Sequence, residues 1–351
     1  MALLAGAAAC AQPEIRIQPA LALEAVSDDP DDPAIWINRK ARGASLILGT
    51  NKAAAPNGAL YVWGLDGRIR QRIGDLDRPN NVDVAYGLTV GGSRVDIAVL
   101  TERNQSRLRI FAIRDGRLED IGDPEGTRVF AGESGRRAAP MGIALYTRPR
   151  DRALFAIVSR KSGPADGYLW QYRLEDNGRG QLRAVKVREF GKFAGTGEDD
   201  EIEAIAVDPR DGIVYYSDET FGVRKYWADP ERGAAELGVL AREGFQAQRE
   251  GIAVYGDWIL VTDQIDGGSR YFAYPRRGDQ ARPAAILLGG ADATDGIDAT
   301  DANLGPRFPR GLLVAMNSGA KNFLVFRGED LRRALSGRTS PRSAGSSSGL
   351  R

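Results

Sequence analysis

Between residues 13 and 335 the chain alternates short apolar runs, rich in Val, Ile, Tyr and Trp, with clusters of Gly, Asp, Asn and Pro. Runs punctuated in this way read as β-strands. Aligned on one another, they give a three-strand phrase that returns six times. The first copy is Pro33-Ala34-Ile35-Trp36, then Leu46-Ile47-Leu48-Gly49-Thr50-Asn51, then Leu60-Tyr61-Val62-Trp63. The fifth is Gly251-Ile252-Ala253-Val254, Trp258-Ile259-Leu260-Val261 and Arg270-Tyr271-Phe272-Ala273-Tyr274. A sixth, less regular, begins at Gly296-Ile297-Asp298. Outer fourth strands show in some copies, as at 182–190.

A repeat of about 50 residues with several strands per unit is the signature of a β-propeller. The sequence therefore predicts an all-β fold, a six-bladed β-propeller over 13–335, with 15–25 supplying an extra strand that closes the ring. Two β-sandwiches are the competing arrangement, but the phrase recurs across the boundary such a division needs. Trp63, Trp170 and Trp227 fall in or beside third strands and are expected to pack between blades.

Strand direction then says where chemistry gathers. Antiparallel neighbours alternate in direction, so the start of strand one and the end of strand two share a face of the disc. Strand-one starts carry Asp31-Asp32, Asn80-Asn81 with Asp83, Glu203, Glu250, and Asp295 with Asp298. Strand-two ends carry Asn51-Lys52, Glu102-Arg103, Arg160-Lys161, Asp218-Glu219 and Asp263-Gln264. Asp and Asn also end strands for local hydrogen-bonding reasons, which covers any one of these residues better than it covers all of them on one rim.

Composition narrows the chemistry. The 351 residues hold 48 Lys+Arg against 47 Asp+Glu, a single Cys and no His. A net charge of +1 gives no reason to expect a nucleic-acid-binding or polybasic membrane surface. Without His there is no Ser-His-Asp triad and no His-ligated zinc. A metal must be held by oxygen, which favours Ca²⁺ or Mg²⁺. Residues 1–12 read as the remnant of a secretory signal, which makes the protein secreted or periplasmic, with Cys10 as a candidate lipid anchor. Residues 336–351, rich in Ser, Gly and Arg, read as a disordered tail. No stretch reaches the roughly 20 apolar residues of a membrane span, and a monomer is expected.

Carboxylates converging on one rim repel one another unless cations intervene. Ca²⁺, which takes several oxygens in flexible geometry, resolves this. Lys52, Arg103 and Lys161 add positive charge beside the metals. A calcium-loaded rim of this kind suits a phosphate ester, because metals polarise phosphoryl oxygens and lower the pKa of a bound water.

The run Asp31-Asp32-Pro33-Ala34-Ile35-Trp36, followed by Asn80-Asn81-Val82-Asp83-Val84, resembles the paired signature of the β-propeller phytases. Thr50-Asn51-Lys52, Ser159-Arg160-Lys161, Asp218-Glu219, Arg249-Glu250-Gly251 and Thr294-Asp295-Gly296-Ile297-Asp298 extend the resemblance over about 24–327. It implies a six-bladed propeller that uses several Ca²⁺ ions to hydrolyse phytate, myo-inositol hexakisphosphate, taken as its calcium complex. By position, Asp32, Glu203, Glu219, Glu250, Gln264 and Asp295 resemble the family's calcium-site residues, with Asp31 adjoining. Lys52, Arg103 and Lys161 resemble its phosphate-contacting cations, and with Glu203 form the expected catalytic set around a metal-activated water. This chain differs from the pattern at Ala53, Met141 and Gln248, which remove a cation, a hydroxyl and a carboxylate.

Two other readings stay open at the level of sequence: another calcium-dependent propeller hydrolase such as a lactonase, and a non-enzymatic ligand-binding propeller. A neutral substrate leaves Lys52, Arg103 and Lys161 without a task. Asp199-Asp200-Glu201 is read as solvated charge in preference to a metal-lining loop.

Overall fold

The computed structural model describes residues 12–337. Residues 1–11 of the proposed leader, with Cys10, and nearly all of the proposed tail therefore lie outside the described residues.

Six sheets account for the strands. Blades 1 to 3 are four-stranded meanders whose first strands are Pro30–Trp36, Pro79–Val90 and Pro140–Thr147. Blades 4 to 6 begin with Ile205–Asp208, Arg249–Tyr255 and Ile297–Thr300. These six first strands touch one another in chain order, and Ile297–Thr300 returns to Pro30–Trp36, so they line the axis of a closed ring. The six-bladed β-propeller read from the repeat is the fold.

The second strands are buried on both faces, which is why they read as continuous apolar runs. Successive side chains point to opposite faces of a sheet. In Leu46–Asn51, Ile47 accordingly joins a hydrophobic cluster with blade 6, while Leu48 joins one with blade 2. Each of the six interfaces between neighbouring blades holds one such cluster. Trp63 is fully buried against Phe323 of blade 6, with ring centroids 5.5 Å apart, so this tryptophan packs between blades as expected.

The amino-terminal segment departs from the single extra strand. It forms two short strands, Glu14–Arg16 and Pro19–Ala22. The first adds in parallel to the outer strand of blade 5, and the second becomes the outer strand of blade 6, paired with Asn322–Arg327. Ile17, buried between them, donates its amide to Leu288 O at 3.0 Å, so the chain steps across the interface there. A short helix, Gly328–Leu335, follows blade 6 and buries Leu331, Ala334 and Leu335 in the blade 5–6 cluster. Among the described residues no helix is long and apolar enough to cross a membrane.

Candidate metal centre on one rim

Four first strands begin with the same irregularity. The pairing register shifts between Pro30 and Pro33, Pro79 and Val82, Pro140 and Ile143, and Arg249 and Ile252. Such bulges bend a strand and re-aim its side chains, and Pro is tolerated at a strand's first residue, where it opens three of these four. Each bulge lies beneath a residue of the rim: Asp31, Asn80, Met141 and Glu250.

The strand-two ends sort by the two-residue period of a strand. The first residue of each pair turns into the blade and is almost fully buried. Asn51 accepts the Asp29 amide at 2.7 Å, Glu102 pairs with Arg107 at 2.6 Å, and Asp218 with Arg224 at 2.8 Å. Asp263 accepts from Arg270 Nε at 3.0 Å, and Arg160 pairs with Glu133 at 3.0 Å. The second residue of each pair, Lys52, Arg103, Lys161, Glu219 and Gln264, is left for the rim.

Those residues meet the strand-one acids in three connected groups. Lys52 Nζ lies 3.0 Å from Asp31 Oδ1 and 2.6 Å from Asp295 Oδ2, while Gln264 Nε2 donates to Asp295 Oδ1. Asn80 Nδ2 donates to Glu203 Oε1 at 2.7 Å, and Arg103 donates to Asn80 Oδ1. Lys161 Nζ lies 2.5 Å from Glu201 Oε1. Glu201, Glu203 and Glu219 each offer a carboxylate oxygen within 4.8 Å of the others.

Glu203 is the hub. Burial pushes its carboxyl up, with Asp31 adding to the shift and Lys52, Arg103 and Lys161 opposing it. Glu250 is raised well above the ordinary range by burial and then by Glu203, Asp295 and Glu201, which places it in the same field. Glu219 is pushed up by burial, Glu250 and Glu201. Asp31 rises to about 6 from burial, against the pull of Lys52. Burial also opposes the charge on Lys52, but Asp31 and Asp295 outweigh it and hold the ammonium well above the usual lysine range.

Asp32 takes a different position. Its Oδ2 accepts the Val82 amide at 3.0 Å, and it lines the axial cavity of about 270 Å³ together with Asp83 and Asp298. Burial pushes its carboxyl well up.

One residue of the cluster departs from the solvated charge expected of 199–201. Asp199 is solvated, as a charge run implies, but Glu201 is buried at 8% exposure and faces Lys161. Ile202, fully buried between blades 3 and 4, draws Glu201 inward with it. The apolar residue directly after the acidic run was the available signal.

Six carboxylates, of Asp31, Glu201, Glu203, Glu219, Glu250 and Asp295, thus share this end of the axis with three cations, and Asp32 acts on them from the cavity, beside Asp31 and Glu203. Asp31 Oδ2, Glu201 Oε2 and Glu219 Oε1 are buried without any hydrogen-bond partner. Buried oxygens of this kind are costly unless something completes them. An all-oxygen donor set with several acids fits a hard divalent cation.

Comparison with known proteins bears on this arrangement. The family model described as Phytase matches residues 1–323. A 3-phytase of Bacillus subtilis (strain 168) is 29% identical over 307 residues, covering 83% of this chain and 75% of that protein.

Proposed function

The chain belongs to the phytase family, and from that premise we propose that it removes phosphate from phytate at this rim with the help of several bound Ca²⁺ ions. The observation that carries the reading is the set of buried, unpartnered carboxylate oxygens around Glu203 beside Lys52, Arg103 and Lys161.

Asp31, Glu201, Glu203, Glu219, Glu250 and Asp295 would hold the cations, with Gln264 orienting Asp295 and Asp32 reaching up from the axial cavity. When bound, they would supply positive charge that polarises a phosphoryl oxygen and makes a water more acidic. The rest falls to side chains. Lys52 spends two of its three N–H bonds on Asp31 and Asp295, which leaves one for a phosphoryl oxygen. Arg103 and Lys161 are fixed by Asn80 and Glu201, and their remaining donors serve the equatorial oxygens of the transferring group. Holding the donors in place before the reaction keeps their reorganisation small. Glu203, between the three cations, is the residue whose charge the whole set depends on.

A direct assay tests this. Full-length protein given calcium phytate is expected to release inorganic phosphate, and EGTA is expected to abolish the release. Calcium-saturated protein that releases none ends this reading. Glu203→Gln separates a hydrolase from a binding module, because only the former has turnover to lose.

A further inference from the structure

Tyr168 lies near the start of the strand Asp166–Asp176 in blade 3 and is fully buried between blades 3 and 4. Its ring packs on Phe193, with centroids 4.6 Å apart. Its backbone is clamped by the buried Arg160, whose Nε donates to Tyr168 O at 3.1 Å and whose Nη2 donates to Gly167 O at 2.8 Å. Gly167 has a φ of +78°, a left-handed conformation that favours glycine and turns the chain into this clamp.

The hydroxyl is the part that packing does not explain. It is buried, and its O–H donates to no acceptor. Ile202, whose chain neighbour Glu201 faces Lys161, packs in the same cluster as the ring, and the charged groups that act on the phenol are Glu201, Glu219 and Arg160. Glu201 Oε2 and Glu219 Oε1 are themselves buried and unpartnered. Phenylalanine would keep every ring contact and avoid an unsatisfied buried hydroxyl.

We propose that Tyr168 is a positioning residue of the carboxylate cluster, its O–H donating to Glu201 or Glu219 when that carboxylate is ionised and holds a divalent cation. A hydrogen bond on one oxygen fixes which oxygen is left for the cation and in what direction. This rests on the reading that Ca²⁺ binds at the rim.

Calcium titration of full-length wild type and Y168F by calorimetry, with melting curves in EGTA, tests the proposal. The variant is expected to bind Ca²⁺ roughly tenfold more weakly, in line with losses of ligand-orienting partners. Its calcium-free melting temperature is expected to stay level or rise, a combination that loss of packing alone does not produce. Wild type that binds no calcium defeats the underlying reading. Wild type and Y168F binding equally well defeats the role of Tyr168 alone, as does weaker binding accompanied by a lower calcium-free melting temperature. If Y168F does not fold, wild type labelled with ¹³C at tyrosine Cζ gives the answer. Calcium is expected to move one phenolic resonance in wild type, a movement lost in E201Q or in E219Q, and no movement in wild type overturns the proposal.

Discussion

Lys52 Nζ stands 2.6 Å from Asp295 Oδ2, joining the first blade to the last across the seam where the ring closes. The same ammonium reaches Asp31 at 3.0 Å, and only 19% of the lysine side chain is exposed. Removing it leaves two largely buried acids without their partner. Lys52→Gln is expected to cost about 2 kcal/mol in EGTA, less than a fully buried pair would because some solvent reaches it. In calcium the cost should shrink, since divalent ions offset the same two charges. Denaturant titration in the two buffers reads the difference, and equal losses would contradict it. Phosphate release should fall roughly 100-fold, the scale of one transition-state donor.

How much of this site was legible in the sequence depends on which strand rule reached each residue. The repeat and the alternation of strand direction put Asp31, Lys52, Arg103, Lys161, Glu203, Glu219, Glu250, Gln264 and Asp295 at one end of the axis, where the structure has them, but also put there Asp32, Asp83 and Asp298, which the two-residue alternation turns into the axial cavity. The two-residue period could have gone further and separated Lys52 from Asn51, or Glu219 from Asp218. Glu201 escaped because its neighbours Asp199 and Asp200 made it look solvated, although Ile202 anchors it. Tyr168 escaped altogether. Its strand carries Tyr168 toward blade 4 and Trp170 and Tyr172 toward blade 2, and nothing in the letters separates a tyrosine used for its ring from one whose hydroxyl meets an acid cluster. The two-step path of 14–22 across blades 5 and 6 was also hidden, because a short edge strand has too few residues to declare its partner.

The axial cavity gives the protein a pH response. Asp83 is raised to about 6 by burial, although the Leu145 and Val84 amides favour its charged form. Asp298 is raised to about 7 by burial and then by Asp83. The folded state therefore holds protons that the unfolded chain gives up near pH 4. The stability these groups contribute is complete below that point and is lost as pH rises through 6 and 7. Calcium-free protein is expected to melt at a lower temperature at pH 8 than at pH 5. D298N should flatten that slope, even if it lowers stability throughout by disturbing the Ile35 amide that Asp298 accepts at 2.8 Å. A slope of opposite sign in wild type would refute the assignment.

Repulsion within the acid cluster predicts a trade between stability and calcium binding. Glu219 and Glu250 are buried beside other acids that push their carboxyls upward. Glutamine keeps the shape and removes the charge. E219Q and E250Q are each expected to stabilise the calcium-free protein by roughly 1 kcal/mol at pH 8, because a buried charge without a paired counter-charge is unfavourable. Both should weaken calcium binding and slow phosphate release. Melting curves in EGTA and calcium calorimetry give the two signs, and a variant that loses stability in EGTA would count against the repulsion.

Close approach between blades sets where Glu203 stands, and Gly142 permits it. A Cβ at Gly142 would lie 1.6 Å from the Glu203 carbonyl oxygen and 2.8 Å from its carbonyl carbon. Both are backbone atoms, so a side chain cannot be accommodated by a rotamer change. The Gly142 amide also donates to Ser159 Oγ at 2.9 Å, which ties it to its own second strand. Gly251 and Gly296 occupy the equivalent places in blades 5 and 6, and a Cβ there would meet Asp295 O at 2.8 Å and the Asp32 Cα at 2.6 Å. In each case the residue displaced is an acid of the rim or the cavity mouth. G142A is expected to destabilise by about 3 kcal/mol, at the upper end for an overpacked site. Phosphate release should drop further than the folded fraction does, because Glu203 is moved away from Asn80, Glu201 and Glu219. Activity per folded molecule, with the folded fraction taken from circular dichroism, separates the two effects. Undiminished activity per folded G142A molecule would mean that Glu203 does not need its present position.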